Sequence, residues 1–281
     1  RGLPGMVIVG LPDKAIMESK DRVKAALSHC KMPVPRSRVT VNLAPGDLKK
    51  EGPLYDLPIA LGVMICTEFL KPKFDVNQFR MVGELSLNGK VRGVSGILNF
   101  ALHAKQENKS FILPADNYHE AQYVEGLNLI PISNLNELLG FFIGELNADF
   151  LRDKAVNSCS HLPTNLNTSS FTKDFSEVKG QAAAKRAMTI AAAGGHNILL
   201  IGPPGSGKSM LSERFPTILP IMDQDEALDV TRIYSISGLL NPEEPIIRER
   251  PFRAPHHTIS DVALIGGGSD AKPGEISLSH R

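Results

Sequence analysis

The most chemically loaded stretch of the 281-residue chain is Gly202-Pro203-Pro204-Gly205-Ser206-Gly207-Lys208-Ser209, which fits GxxxxGK[ST] at every position. Glycines let a main chain approach an anion that any Cβ would hold away. The N–H groups of Gly205 to Ser209 can therefore converge on phosphate oxygens at the positive end of a helix. In this scheme Lys208 reaches the β and γ oxygens, the Ser209 hydroxyl ligates Mg²⁺, and Met210 completes the binding set. The expected ligands are ATP and Mg²⁺. Hydrolysis demands more: a carboxylate pair at the end of a neighbouring strand, to hold the metal and activate water. The nearest match after the loop is Leu219-Pro220-Ile221-Met222-Asp223. Pro220 interrupts it, and it arrives only one helix after the loop. Asp223, Asp225, Glu226 and Asp229 read instead as a solvated helix face, so the catalytic residues stay unassigned.

A phosphate loop needs a strand before it and a helix after it. Residues 197–201 (NILLI) form an apolar run suited to a buried parallel strand, and 209–215 can continue as a helix as far as Pro216. Upstream, residues 157–172 (NSCSHLPTNLNTSSFT) are dominated by Ser, Thr, Asn and Pro and carry no charge. That composition marks a linker. The expected organisation is a domain over 1–150, a linker over 151–173 and a second domain over 174–281.

The first domain alternates strand-like and helix-like segments. Residues 6–9 read as a strand closed by Gly10. Asp13 is placed to cap a helix that turns Ile16, Val23, Ala26, Leu27 and Cys30 inward and Lys20, Asp21, Arg22 and Lys24 outward. Pro33 and Pro35 end it. Strands are expected at 39–43, 111–113 and 127–130, and helices at 57–70, 98–106 and 134–143. The fold class is α/β, with an α+β first domain.

Hydrophobic residues make up 42% of the chain and charged residues 22%, which excludes a disordered polymer. The longest nearly uncharged stretch, 187–207, is broken by His196, two prolines and several glycines, so no membrane helix is expected. Cys30, Cys66 and Cys159 show no CxxC spacing, which argues against disulfides or zinc and for a reducing cytoplasm. The formal net charge of +1 names no partner. It hides an asymmetry, however: residues 1–50 hold ten Lys/Arg against four Asp/Glu, and residues 51–150 hold seven against twelve. The basic residues Lys14, Lys20, Arg22, Lys24, Lys31, Arg36 and Arg38 could contact nucleic-acid phosphates. Equally, they could be a solvated face partly neutralised by Asp13, Glu18 and Asp21.

With these residues in view, the sequence resembles the YifB/ComM family of magnesium-chelatase-like AAA+ ATPases. In the first domain the likeness rests on Gly2-Leu-Pro-Gly5, Ile8-Val-Gly10, Val41-Asn-Leu-Ala-Pro45 and Glu51-Gly-Pro-Leu-Tyr-Asp-Leu-Pro-Ile-Ala-Leu61. In the second it rests on the phosphate loop, Thr231-Arg-Ile-Tyr-Ser-Ile and Arg250-Pro-Phe-Arg-Ala-Pro-His-His-Thr258. The resemblance implies a partial P-loop AAA+ domain in which the Asp-Glu strand follows beyond Arg281. Together with Arg1 in place of Met, it gives the expectation of a fragment. It also implies a ring-forming, hexameric motor that remodels DNA during natural transformation. Gly180 and Gln181, in the segment before the loop, would lie near the adenine, or the segment is a plain packing helix. Gly266-Gly-Gly-Ser269 with Lys272 would line a pore, or simply connect. Arg253 would be structural or would face a neighbouring subunit's nucleotide.

The family's N-terminal domain in turn resembles the proteolytic domain of Lon, of ribosomal protein S5 domain 2-like fold. A Lon-type dyad requires Ser after Gly52-Pro53, where Leu54 stands, and Lys where Leu98 stands. Neither leucine can attack a carbonyl or move a proton, and nothing in the spacing pairs the nearby Ser86 with Lys90. No peptidase is expected. Two readings compete with the DNA motor. One is an ATP-driven metal-insertion motor like the magnesium chelatase I subunit, held to lack the Lon-like domain. The other is a nucleotide-binding module without catalysis. His256 and His257 suggest no metal site, because adjacent residues on an extended chain point opposite ways and zinc needs further ligands.

Overall fold

Strand β1 (Gly5–Val9) ends at Gly10, where φ is +104° and a Cβ would lie 2.1 Å from the Leu43 carbonyl oxygen, so only glycine fits the crossing. Helix α1 (Lys14–His29) starts where Asp13 Oδ1 accepts from the Ile16 N–H at 2.7 Å. Its Ile16, Val23, Ala26 and Leu27 recur at helical spacing and are fully buried. The second Asp13 oxygen accepts from the Gly52 N–H at 2.9 Å, which fastens the helix start to the 44–52 loop. Strand β2 (Arg38–Asn42) pairs in parallel with β1, and α2 (Asp56–Cys66) is apolar almost all round, as a helix inside a core should be.

The computed structural model describes residues 5–35, 37–158, 173–241, 244–267 and 272–281. It divides into two units, 1–160 and 161–281. Arg36, Cys159, Gly268, Ser269, the Gly2-Leu-Pro4 part of the family-like segment and most of the expected linker lie outside the described residues.

In the first unit, β3 (Phe79–Met81) is followed by a short hairpin of β4 (Glu84–Leu85) and β5 (Val91–Arg92) and by α3 (Ile97–Gln106). Then come β6 (Ser110–Pro114), α4 (Tyr118–Ala121), β7 (Leu129–Ile132), α5 (Leu135–Ile143) and α6 (Ala148–Ser158). Strands β3, β6 and β7 make a parallel sheet in that order. Parallel strands are covered on both faces, and Phe111, Ile112, Leu113, Ile130 and Ile132 are accordingly buried. The strands and helices expected in this unit are found to within a few residues, and the structure adds an Asn134 cap on α5, whose Oδ1 accepts from the Glu137 N–H at 3.1 Å.

Two expectations are corrected. Residues 151–158 belong to α6 rather than to a linker, because Leu151 and Ala155 supply an apolar face and are buried. Arg22 does not face outward with its lysine neighbours. Its Nε donates to Asp56 Oδ2 at 2.7 Å and its Nη2 to Asp56 Oδ1 at 3.1 Å, where Asp56 is wholly buried.

The second unit contains α7 (Ala182–Gly194), α8 (Lys208–Arg214) and α9 (Gln224–Ile236). It continues through α10 (Asp261–Ile265), an antiparallel pair of β8 (Gly266–Gly267) with β9 (Lys272–Pro273), and α11 (Glu275–Leu278). Its core gathers Phe175, Val178, Met188 and Leu211, with Ile198, Leu200, Phe215 and Ile218 packed against them. Here the buried strand expected over 197–201 is corrected. Among the described residues nothing pairs with that segment in a sheet. Ile198 and Leu200 reach the core while Leu199 and Ile201 are 80% and 87% exposed. The alternation is that of a strand with one face covered, and a ladder needs a partner that the described residues do not supply.

Candidate functional site

The phosphate-loop residues turn tightly between 202 and the start of α8. Gly205 and Gly207 take left-handed φ values of +78° and +85°, which side chains resist, and a Cβ on Gly202 would come 3.0 Å from Ser206 Oγ. Helix α8 begins on the loop itself, the Leu211 N–H donating to the Gly207 carbonyl at 3.0 Å. The first-turn N–H groups of this helix therefore open onto the loop. Lys208 is folded over it: its Nζ donates to the carbonyls of Gly202 at 2.7 Å and Pro203 at 2.8 Å and to Ser206 Oγ at 3.2 Å. The ammonium thus sits at the loop's centre. Ser209 and Met210 stand exposed on the first turn of α8, and Pro203 and Pro204 form the exposed outer rim.

Several contacts hold this loop to the segment before α7. Arg214 of α8 donates through Nε and Nη2 to Glu177 Oε2 at 3.0 and 2.8 Å. Lys173 pairs with Glu213 at 2.5 Å and holds its carboxyl below the ordinary value. The Phe175 N–H donates to Thr217 Oγ1 at 3.1 Å. Gly180 and Gln181 both adopt left-handed backbone, at φ +69° and +55°. The Gln181 side chain donates through Nε2 to the Ser206 carbonyl at 3.1 Å, so the residue expected beside the adenine touches the loop directly.

The acidic residues after the loop are not a merely solvated face. Asp223 and Glu226 form a reciprocal capping box at the start of α9. Glu226 also accepts from Arg250 Nη2 at 2.9 Å and lies 3.6 Å from Arg281, which also approaches Asp229 at 3.6 Å. Arg250 donates further to the Pro220 carbonyl at 2.7 Å and the Arg281 carbonyl at 2.8 Å. Spacing could not have revealed this network, because Arg250 lies 24 residues from Glu226. Arg253, the other arginine of the Arg250-Pro-Phe-Arg motif, makes a two-pronged pair with Glu275, both contacts at 2.6 Å. That hydrogen bonding lowers the Glu275 carboxyl and raises the guanidinium further. Within the chain Arg253 has a structural partner. The side chains of His256 and His257 do not diverge; their ring centres are 4.1 Å apart, and His256 Nδ1 contacts Thr258 Oγ1 at 2.7 Å. Among the described residues no three potential ligands gather into a metal centre.

In the first unit, Leu54 lies in a 3₁₀ turn (Pro53–Tyr55) and Leu98 is buried within α3. The Ser86 hydroxyl donates to Asn88 Oδ1 at 2.6 Å, with the Lys90 carbonyl 3.0 Å from the same oxygen, closing the β4–β5 turn rather than meeting a base.

A family model described as magnesium chelatase, subunit ChlI, matches residues 174–281, and one described as subunit ChlI of Mg-chelatase matches residues 1–117. Competence protein ComM of Haemophilus influenzae is 41% identical over 99% of the chain and 53% of its own length. Protein YifB of Escherichia coli is 40% identical over the whole chain and 53% of its own length, and a Mycobacterium tuberculosis protein matches similarly. The chain belongs to the YifB/ComM magnesium-chelatase-like family. It spans about half the length of the curated relatives it matches. No helix among the described residues is long and apolar enough to cross a membrane.

Proposed function

We propose that residues 202–210 bind ATP with Mg²⁺ and that the whole protein is a cytoplasmic AAA+ motor that remodels DNA. The observation that carries the nucleotide half is the Lys208 ammonium held at the centre of a glycine loop that opens a helix. Backbone N–H groups of Gly205 to Ser209 hold the phosphates, Lys208 exchanges its carbonyl partners for phosphate oxygens, and the Ser209 hydroxyl is the Mg²⁺ ligand on this chain. Bound Mg²⁺ neutralises charge on the phosphates. Asp223 and Glu226 are committed to capping α9, so we assign the hydrolytic carboxylates to neither.

The DNA half rests on the family and on the name of the Haemophilus relative, a competence protein. In this reading the subunits form a hexameric ring and act in natural transformation. The first unit has a Lon-like fold without peptidase chemistry, Leu54 and Leu98 occupying the dyad positions. A metal-insertion motor is the second reading, favoured by the chelatase descriptions of both matching models.

Titration calorimetry with Mg²⁺ and ATP is expected to show binding by the 281-residue chain and none by its Lys208→Ala variant. Equal heats from both would overturn the nucleotide assignment. For the whole protein, ATP turnover is expected to rise with branched or single-stranded DNA. Turnover indifferent to DNA but raised by a porphyrin and Mg²⁺ would favour metal insertion.

A further inference from the structure

Gln181 occupies the N-cap of α7, a position usually filled by Ser, Thr, Asp or Asn so that a short side chain can satisfy the first helical N–H groups. Its side chain makes no such cap. The backbone carbonyl enters the helix, accepting from the Lys185 N–H at 2.9 Å, while the side-chain amide reaches 25 residues ahead to the Ser206 carbonyl at 3.1 Å. The backbone that allows this is unusual. Gln181 has φ +55° and ψ +39°, directly after Gly180 at φ +69°. Left-handed backbone is uncommon for a residue with a long side chain and collects where a site fixes it.

The contact falls on a sensitive peptide. In a planar trans peptide the carbonyl of Ser206 and the N–H of Gly207 point in opposite directions. Drawing the carbonyl toward Gln181 therefore turns the Gly207 N–H the other way, and this N–H is one of those assigned to the phosphates. Ser206 is gripped twice, its carbonyl by Gln181 and its hydroxyl by Lys208 at 3.2 Å. A Cβ on Gly207 would lie 3.9 Å from the Gln181 amide nitrogen, so the two residues are close neighbours.

We infer that Gln181 is a positioning residue of the phosphate loop: its side-chain amide holds the Ser206 carbonyl and thereby aims the Gly207 N–H at a nucleotide phosphate. This rests on the reading of residues 202–210 as a nucleotide loop. It differs from an adenine contact, because it acts on the phosphate end and through the side chain.

Two variants of the 281-residue chain test it, with Mg²⁺ and ATP as the probe. Gln181→Gly keeps the left-handed backbone without strain and removes the side chain with its amide. It is expected to bind about three- to ten-fold more weakly, the loss of one neutral hydrogen bond, with no fall in melting temperature. Gln181→Glu keeps the shape, but its carboxylate cannot donate to a carbonyl. It is expected to bind more weakly still at pH 8. Wild-type affinity in Gln181→Gly overturns the inference, whatever the Glu variant does. If the wild-type chain and its Lys208→Ala variant prove equally unable to bind, the nucleotide reading fails. Hydrogen exchange across residues 202–209 of the nucleotide-free chain then decides for Gln181: faster exchange in Gln181→Gly supports the brace and unchanged exchange overturns it.

Discussion

Asp56 shows how one side chain can matter more than its composition class. It is wholly buried and takes three hydrogen bonds, two from Arg22 and one from the Leu85 N–H at 3.1 Å. Arg22 in turn donates to the Ala15 carbonyl at 2.9 Å and Ser19 Oγ at 3.0 Å, so one ion pair fastens α1, α2 and the β4–β5 hairpin. Removing one partner strands a charge in the core. Asp56→Ala is expected to lower the stability of the first unit by about 3 kcal/mol, near the low end for broken buried pairs because the Arg22 side chain keeps 18% exposure. Urea unfolding measures it, and a loss below about 1 kcal/mol would show that Arg22 finds other partners. In the sequence Asp56 was only part of a family-like segment and Arg22 one basic residue among several. Nothing in their 34-residue separation announces a pair.

Elements were legible where a local rule was strong. The Asp13 cap and the apolar periodicities of α1, α3 and α5 rest on neighbours three or four residues apart. Helix α9 shows the limit. Its capping box is a local pattern, yet its acidic residues read as solvated because Arg250 and Arg281 reach them from outside the element. Asp223→Ala is expected to cost about 1 kcal/mol, the value of a lost N-cap. Glu226→Ala should cost more, since it also strips Arg250 of its carboxylate. Thermal unfolding of the two variants gives the comparison, and equal losses would mean that the Arg250 contact contributes nothing. The segment over 197–201 marks the opposite failure. Its alternation is real, but pairing depends on a partner strand, and no local pattern reports whether one is present.

Across the whole molecule, charge is distributed unevenly, and the structure redistributes it again. Of the basic residues in α1, Arg22 is withdrawn onto Asp56, while Lys14 and Lys24 are exposed and Lys20 is half-exposed. Lys20 and Lys24 stand one turn apart on one side of the helix. If this side meets duplex DNA phosphates, replacing both with Ala should reduce the slope of log affinity against log salt by about 1.8. An unchanged slope would remove α1 from the DNA surface. The sequence by itself determined the phosphate loop, the α/β class, most helices with the Asp13 cap, and the family, because each depends on residues close in the chain or on patterns carried intact along it. Only the tertiary structure decided that Arg22 belongs to the core, that Glu226 anchors Arg250, that Arg253 is held by Glu275, and that Gln181 grips the phosphate loop. Each of these is a contact between residues at least 22 positions apart. Hydrogen bonds and ion pairs act over about 3 Å, and only folding brings such distant groups within that reach.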